Sequence, residues 1–386
     1  MANLLDEASI LLTPTAYNNG SMLAVKPTNG DGDFTFSRNS AATRVNAQGL
    51  VEDVASNLPR IDYTDGCGSW LLEPQSTNLI PQSELFSDSF YIKDSGVSVG
   101  TTNNSSPSIN ANATKIDVTN NGRIYYNIAT NTYYTSVFIK SGTFSHFSFA
   151  GSNIDLIAET NSNGTIQSFG NGWYRIGKSY TGTRPFQVQA YPDGTYSSHT
   201  TSGNYFIWGA QIEQQSYPTS YIPTSGASST RLADIANNSG NASLINSEQG
   251  TLYTEIATLA NDGYKSISIS SGSNNDRVSI SYNANGRLDA NVKSGGVYQA
   301  TFYYTGVVNP NIQNKIALKY KLNDFSLWVN GVEVATDSSG ITPIGLNVLN
   351  FSPASASSEN FYGKNKALAV YKTALTDEQL TALTTI

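Results

Sequence analysis

The sequence predicts an all-β protein: an N-terminal segment rich in hairpins, followed by two β-sandwich (jelly-roll) domains. Composition is the first observation behind this prediction, because 23 Tyr, 15 Phe and 32 Gly against 2 Met suit pleated strands and turns better than helices. The second is that short apolar-alternating runs recur at the interval expected of a sandwich. The third is length, since 386 residues correspond to about two to three domains.

The charge balance and the apolar pattern exclude some partners. A net charge of −7 argues against nucleic acid, because phosphate binding relies on clustered Lys and Arg. The start has no basic region before its short apolar run at 10–12, and no apolar stretch is long enough to span a bilayer. We therefore expect no membrane association and folding in a cytoplasm. The single cysteine, Cys67, excludes an internal disulfide framework and a cysteine-based zinc site.

Two hairpins are predicted between residues 34 and 80. The first joins runs at 43–45 and 50–54 through a turn with Gly49, and the second joins runs at 61–63 and 70–72 through a turn with Gly66. Glycine supplies the positive φ of such turns. Because two-stranded ribbons are marginal alone, we expect their apolar side chains to be buried against the next domain or against another copy of the chain: Leu50, Ile61, Trp70, Leu71 and Leu72.

The same stretch concentrates opposite charges in a chain with only 13% charged residues. We interpret these side chains as a structural ion-pair network that supports assembly, together with Trp70. Removal of one buried partner would leave the other charge uncompensated. The predicted members are Arg38, Arg44 and Arg60, paired among Glu52, Asp53, Asp62 and Glu73.

The second domain is predicted at 86–224. The polar run at 101–112 indicates a long loop or an exposed edge. Pro218 and Pro223 each remove a donor from a strand ladder, so 216–224 is predicted to be an extended strap that leaves the domain. Strands are predicted at 123–128, 133–139, 144–150, 173–179, 186–190 and 205–213.

Residues 225–246 are predicted to be a flexible linker, and the last domain is predicted at 247–386. Its turns are indicated by Asn323-Asp324 and Asn330-Gly331. A short helix closes it, with Thr376 as N-cap, Gln379 as capping-box partner, and Leu380 and Leu383 facing inward. Strands are predicted at 251–258, 266–271, 277–282, 287–293, 299–304, 314–320, 325–329 and 367–371.

Few residues suggest catalysis. Neither of the two histidines, His146 and His199, is followed by the second His or the carboxylate of a zinc-protease helix or a catalytic-base arrangement. The GxSxG and P-loop patterns are absent. We therefore predict no enzyme activity, no cofactor and no metal site. Glycoside hydrolysis needs only two carboxylates, so a capsule depolymerase stays an alternative.

Aromatic side chains are the candidates for glycan contact. Tyr and Trp offer an apolar face and a polar tip, and of two adjacent aromatic residues on a strand one points inward and one outward. Tyr134, Tyr303 and Trp328 are the candidates. Core filling is the alternative for each of them.

The pieces 37–46 (SRNSAATRVN), 49–52 (GLVE), 57–63 (NLPRIDY) and 71–79 (LLEPQSTNL) resemble the recurrent segment of fibre and spike proteins from tailed bacteriophages, particularly crAss-like phages of gut Bacteroidales. Three pieces of the second domain resemble a carbohydrate-binding-module type of β-sandwich: 134–140, 172–176 and 208–213. In the last domain the hairpin at 327–331 and the late strand at 369–371 resemble the concanavalin A or laminin G type of lectin fold.

The phage resemblance implies a non-enzymatic fibre on the exterior of a virion, assembled as a homotrimer. It favours the capsid head over the tail, and a receptor-binding tail fibre is the alternative. Residues 1–85 would form the docking and trimerisation segment, bound to a capsid or tail protein. The sandwich from 247 onward would point outward and bind host-surface glycans.

Overall fold

The computed structural model describes residues 4–100, 104–306, 308–354 and 359–386. The N-terminal part contains a 3₁₀ helix, Leu4–Glu7, and strands β1 Ile10–Leu12, β2 Tyr17–Asn18, β3 Ser21–Met22, β4 Phe34–Ser37, β5 Ala42–Val45, β6 Val51–Val54, β7 Ile61–Asp62, β8 Ser69–Leu72 and β9 Ser76–Asn78. The middle part contains β10 Ile92–Lys93, β11 Val97–Val99, β12 Asn104–Ser105, β13 Asn112–Val118, β14 Arg123–Tyr126, β15 Asn131–Ser141, β16 His146–Phe149, β17 Ser152–Asp155, β18 Thr160–Asn161, β19 Thr165–Ser168, β20 Trp173–Gly182, β21 Phe186–Tyr191 and β22 Gly203–Glu213. The last part contains β23 Ser229–Arg231, β24 Ile235–Asn237, β25 Gln249–Thr258, β26 Lys265–Ser270, β27 Arg277–Tyr282, β28 Leu288–Ser294, β29 Val297–Tyr304, β30 Asn314–Lys321, β31 Asp324–Val329, β32 Val332–Asp337, β33 Val348–Asn350, β34 Gly363–Tyr371 and the helix α1 Asp377–Thr384.

The predicted all-β class with two sandwiches is confirmed. The middle sandwich packs a six-stranded sheet, in the order β10-β14-β21-β16-β17-β18, against a seven-stranded sheet, in the order β11-β13-β22-β15-β20-β19 with β12 beside β13. Alternate side chains of each strand enter the core, so in β15 Tyr133, Val137 and Ile139 face inward. The opposite face of the seven-stranded sheet carries a second apolar layer that includes Phe138 and Trp208.

The last sandwich has the predicted helix at its end. It packs a five-stranded sheet, β29-β28-β27-β26-β33, against an eight-stranded sheet, β32-β31-β30-β25-β34-β8-β7 with β1 beside β34. Thr376 and Gln379 form the predicted capping box of α1, and Leu380 and Leu383 are buried. The helix covers the outer face of the eight-stranded sheet. Within the described ranges, no helix has the length and hydropathy needed to cross a bilayer.

Strands from the start of the chain complete the last sandwich. Ile10 and Leu12 of β1 pair with Val370 and Leu368 of β34, while β8 pairs with the other half of the same strand. Trp70 is 1% exposed in the core that these strands share with the last domain. The second hairpin, β7–β8, is therefore buried against the last domain, the most distant part of its own chain, which was not expected. The first hairpin, β5–β6, packs against the next domain as expected, because Val51 is buried with Phe138 and Trp208 of the middle sandwich, while Leu50 is only half-buried.

The predicted flexible linker at 225–246 is held by strand pairing. β23 pairs with β9 and β24 pairs with β4. Ile245 is buried in the core of the last sandwich. The last sandwich is therefore not an independent unit within 247–386, because strands from outside that range form part of its sheet and its core. The boundaries after 85, 224 and 246 stay predictions.

Candidate functional site

A buried cluster of charged side chains lies where the N-terminal segment meets residues 225–246, and we call it the junction cluster. It contains Arg38, Arg60, Arg231, Glu73 and Asp234, whose side chains are 0 to 2% exposed. Asp234 accepts hydrogen bonds from Arg38 Nη1 at 3.0 Å and from Arg60 Nη2. Glu73 accepts from Arg60 Nη1 at 2.7 Å, and its Oε2 lies 2.9 Å from Arg231 Nη1. Each carboxylate therefore joins two guanidinium groups.

Backbone and strap contacts fix the geometry of the junction cluster. Glu73 directly follows β8; its N–H donates to Asp234 Oδ2 at 2.8 Å, and the N–H of Asp234 donates to the carbonyl of Glu73 at 2.9 Å. Ser220, in the strap from the middle sandwich, donates to Glu73 through its N–H at 2.7 Å and its hydroxyl at 2.6 Å. The cluster thus binds the N-terminal segment, the strap and residues 225–246 together.

In the junction cluster, burial and ion pairing act on the pKa values in opposite directions. Burial by itself raises the pKa of Glu73, but Arg231, Arg60 and the hydrogen bonds from Ser220 lower that pKa to about 2. Burial opposes the charge of Arg60 as well, yet Asp234 and Glu73 raise its pKa above the ordinary value. Burial is the largest cause of the lowered pKa of Arg38, and Asp234 opposes it. Because the charges are paired and bonded, the structure tolerates them without solvent.

The predicted ion-pair residues divide into two groups. Arg60 pairs with Glu73 in the junction cluster, and Arg44 Nε lies 2.6 Å from Glu52 Oε1 at a partly exposed position. These two predicted pairings are therefore present. Their proposed role in assembly stays a prediction.

The remaining predicted pairings are wrong. Asp62 accepts from the backbone N–H groups of Val45 at 2.9 Å and Thr64 at 3.0 Å, so it fixes turns instead of pairing with an arginine. Asp53 is exposed and has no ion pair in the described part of the chain. The partner of Arg38 is Asp234, which the sequence analysis placed in the linker.

A cleft of about 600 Å³ opens beside the junction cluster, between the two sandwiches. Its floor is the outer face of the seven-stranded sheet, where Phe138, Gln167 and Arg175 lie on neighbouring strands. The hairpin β5–β6 and strand β7 line one side. Loops and strand β34 of the last sandwich line the other, so three parts of the chain contribute to one concave surface.

Two cations of the cleft have no carboxylate partner. Within the described residues, neither Arg175 nor Lys366 has a carboxylate oxygen within 4 Å, whereas Lys364 Nζ lies 2.6 Å from Asp65 Oδ2. Arg175 donates from Nη2 to Ser136 Oγ at 3.0 Å, and its guanidinium carbon lies 5.5 Å from the centre of the Phe138 ring. Among the described residues, the Nε of Arg175 has no hydrogen-bond acceptor. Burial lowers the pKa of Arg175, and Glu213 opposes this effect.

Gln313 adds a neutral polar group to the same cleft. It lies directly before β30, and both amide atoms, Nε2 and Oε1, are buried without a hydrogen-bond partner among the described residues. A buried amide without partners costs free energy. The wall of the cleft therefore contains an amide donor and an amide acceptor that are unpaired among the described residues, in addition to the two cations.

Two of the three predicted glycan-stacking rings lie in the interior. Tyr134 is 5% exposed and its hydroxyl lies 2.7 Å from Thr165 Oγ1, while Trp328 is 6% exposed in the layer covered by α1. These two predictions are wrong because neither ring presents a face to solvent. Tyr303 is 60% exposed, and the guanidinium carbon of Arg287 lies 4.2 Å from its ring centre.

The two histidines lie in the middle sandwich. His146 Nε2 lies 3.4 Å from Asp155 Oδ2, a neighbour that the sequence analysis missed because the two residues pair across β16 and β17. His199 Nε2 lies 2.9 Å from the carbonyl oxygen of Ala190. Among the described residues, no group of three or more His, Cys, Asp or Glu side chains could hold a metal ion.

Known proteins resemble this chain mainly in fold. Residues 233–381 match the family described as the concanavalin A-like lectin/glucanases superfamily. That match includes β24, which lies in the predicted linker, but not β1, β7 and β8, which lie in the eight-stranded sheet of the last sandwich. No curated protein sequence matches the chain.

Solved structures are similar at low identity. The CBM40 module of a Ruminococcus gnavus sialidase bound to α2,3-sialyllactose is 22% identical, covers 38% of this chain and 93% of its own, and has a TM-score of 0.34. Domains LG4-5 of the mouse laminin α1 chain are 12% identical over 79% of this chain and 92% of theirs, with a TM-score of 0.25. A pentraxin from Limulus polyphemus is 13% identical over 35% of this chain and 68% of its own, with a TM-score of 0.26.

Proposed function

We propose that the protein is a structural and adhesive fibre protein on the exterior of a tailed-phage virion, displayed as a homotrimer. Attachment to the capsid head is favoured over the tail. The proposal rests on the resemblance of residues 37–79 to the recurrent segment of phage fibres. It includes binding of host-surface or mucus glycans, weak at each site and strengthened by many copies.

The position of the resembling segment is the observation that carries this proposal. Arg38, Arg60 and Glu73 of that segment form the junction cluster with Asp234 and Arg231. Strand β8 of the segment lies in the sheet of the last sandwich, and its strand β6 contributes Val51 to the apolar layer on the middle sandwich. A segment that fixes two sandwiches to each other suits a fibre, which must transmit force without bending at its joints.

Glycan binding is supported by the type of surface present. The last sandwich has the concanavalin A-like fold, and the cleft beside it is concave, with a mainly apolar, partly aromatic lining that carries a few polar and charged groups. Concave sites with a few convergent polar groups are the usual form of small-ligand sites.

The trimer is tested by light scattering of the purified chain at micromolar concentration. We expect three times the monomer mass, retained on dilution. Because the N-terminal hairpins bury their apolar residues within their own chain, they give no separate reason for association, and a monomer mass would remove the trimer from the proposal.

Location and adhesion are tested on particles. Antibody labelling in electron micrographs distinguishes head from tail, and we expect label at the capsid. Docking through residues 1–85 predicts that surface substitutions there reduce incorporation, whereas substitutions on the last sandwich reduce only cell adhesion. Release of reducing sugar from Bacteroidales capsular polysaccharide would instead favour the depolymerase.

A further inference from the structure

The cleft carries a local excess of unpaired positive charge in an acidic protein. The chain has a net charge of −7, yet Arg175 and Lys366 line one cleft without a carboxylate within 4 Å in the described ranges. The buried arginines of the junction cluster behave differently, since Arg38, Arg60 and Arg231 each lie within 3.0 Å of a carboxylate oxygen. Arg175 and Lys366 are half-buried, so solvent or a ligand can reach them. Arg175 therefore differs from the fully buried arginines that hold the fold together.

We propose that the cleft between the sandwiches binds a carboxylate-bearing sugar. Arg175 and Lys366 face the carboxylate, and the amide of Gln313 bonds to hydroxyl groups of the same sugar or its neighbour. This inference rests on the proposed glycan-binding function and narrows its ligand to the acidic class.

The side chain of Arg175 is positioned for planar recognition. Ser136 Oγ accepts from one Nη at 3.0 Å, and the ring of Phe138 lies beside the guanidinium group. These contacts leave Nε without an acceptor. The guanidinium group offers several N–H donors in one plane, and it matches the two oxygens of a carboxylate better than an ammonium group does.

The other lining groups favour a sugar over a small inorganic anion. Gln313 provides a donor and an acceptor, and Gln167 lies on the strand beside that of Arg175. The half-buried ring of Phe169 stands edge-to-face on Phe138, with ring centres 4.8 Å apart. An anion alone would use the cations and leave the amides and the aromatic surface without partners. The volume of the cleft, about 600 Å³, lies within the range of pockets that bind drug-sized ligands, so the cleft has room for a sugar.

The junction cluster makes the cleft a preformed site. Ser220 of the strap bonds to Glu73, and the strap residues Pro218–Tyr221 also line the cleft. The parts of the chain that carry Arg175, Lys366 and Gln313 are therefore fixed to one another before a ligand binds. Preorganisation lowers the entropy cost of binding.

Calorimetric titration of the full chain tests the proposal. The first pair of probes is tetragalacturonate and its neutral methyl ester, which tests acidic residues within a polymer. The second pair is 3′-sialyllactose and neutral lactose, which tests an acidic sugar at a chain end. We expect one acidic probe to bind and its neutral counterpart to bind about tenfold or more weakly, with affinity falling as salt is added.

Three variants assign that binding to the cleft. Arg175→Gln is expected to weaken the acidic probe about tenfold or more. Gln313→Glu keeps the shape of the side chain but adds a repelling charge and removes the amide donor, so it should weaken the acidic probe much more than a neutral one. Lys321→Gln is the matched control, because this exposed lysine ends β30 roughly 25 Å from Gln313. It should bind as the unmodified chain does.

The outcomes separate this inference from the function on which it rests. Equal binding of acidic and neutral probes, unchanged by Arg175→Gln and Gln313→Glu, would keep glycan binding and overturn the acidic cleft. Acid-selective binding that ignores both variants would place the site elsewhere and would also overturn it. If none of the four probes binds while a glycan from the host surface does, the acidic class is wrong although the protein remains an adhesin. If the protein binds no glycan at all, both the acidic cleft and the proposed glycan-binding function are wrong.

Discussion

At the residue scale, Asp234 holds the joint together although it lies 196 positions from Arg38 and 174 from Arg60. It accepts from both guanidinium groups and from the backbone N–H of Glu73. Its carboxylate and both guanidinium groups are 0% exposed, so solvent does not screen their charges. Without Asp234 the two arginines would share the cluster with Glu73 as the nearest remaining anion.

We expect Asp234→Asn to lower the free energy of unfolding by about 3–5 kcal/mol, because it leaves buried guanidinium charge uncompensated. Urea denaturation followed by fluorescence measures the loss. Asp53→Asn is the control, since Asp53 is exposed and lacks an ion pair in the described part of the chain, and it should change stability by less than about 0.5 kcal/mol. Similar stabilities for the two variants would contradict the structural role of the cluster.

Glu73 predicts how stability depends on acid. Its folded-state pKa of about 2 is below the ordinary value of 4.5, so the unfolded chain binds the proton more readily. The stabilisation is therefore fully present above about pH 4.5 and is lost as the pH falls toward 2, with a size on the order of 3 kcal/mol. Urea midpoints between pH 2 and 7 measure it. Glu73→Gln should be less stable at pH 7 and should show a flatter acid decline; a parallel decline would contradict the assignment.

The sequence identified only the local part of this cluster. Arg60 and Glu73 are 13 positions apart and Arg44 and Glu52 are 8 apart, and both pairs belong to predicted hairpins, so neighbouring opposite charges indicated them. Asp234 lies in a Ser- and Asn-rich stretch with linker composition, and its short apolar flanks, Leu232–Ala233 and Ile235–Ala236, do not indicate that it contacts an arginine 196 positions away. The cleft was missed for the same reason, because Arg175, Gln313 and Lys366 come together only through packing of distant segments.

At the element scale, β34 is the strand that joins both ends of the chain. One edge of it pairs with β25, and the other is divided between β1 and β8. The sequence predicted the later strands well, since 277–282 and 325–329 coincide with β27 and β31 nearly residue for residue. Alternation of apolar and polar residues indicates which residues can form a strand. It does not indicate which other strand that strand pairs with, so the pairing of β1 and β8 with β34 could not be predicted.

Trp70 on β8 tests this shared sheet. Its ring is 1% exposed in the core with residues of β25 and β34. Trp70→Ala should therefore destabilise the protein by about 3–5 kcal/mol and reduce hydrogen-exchange protection along β34, far away in the sequence. Tyr303→Ala, at an aromatic residue that is 60% exposed, is the control and should do neither. Loss of protection confined to residues 60–80 would contradict the shared sheet.

At the scale of the whole molecule, the two sandwiches and the N-terminal segment form one connected body. The N-terminal strands need the last sandwich to bury Ile10, Leu12, Trp70 and Leu72. The middle sandwich, by contrast, has a core of its own, made largely by residues between 80 and 212. A fragment that ends at Thr230 would therefore keep a folded middle sandwich, but its N-terminal strands would lose the last sandwich that buries them.

We expect limited proteolysis of fragment 1–230 to cut within residues 1–75 and to leave the middle sandwich intact. The physical reason is that β1 and β8 lose β34, the strand against which they pair, and that β7, which pairs with β8, loses with them the core that they share. Mass spectrometry of the products locates the cuts, and the full chain under the same conditions is the control. Protection of residues 1–75 in the fragment would show that the N-terminal segment folds without the last sandwich.

The pairing of β1 with β34 also imposes an order on biosynthesis. Ser9 and Val370, which are hydrogen-bonded at 2.9 Å, are 361 positions apart. At about 5–20 residues per second, a ribosome delivers β34 roughly 20 to 70 seconds after β1. During that time the middle sandwich can fold on the nascent chain, while β1 and β8 stay unpaired and must avoid pairing with other polypeptides. Closure of the last sandwich is then a late step with high contact order, so it is slow. This interval is when the chain most depends on chaperones.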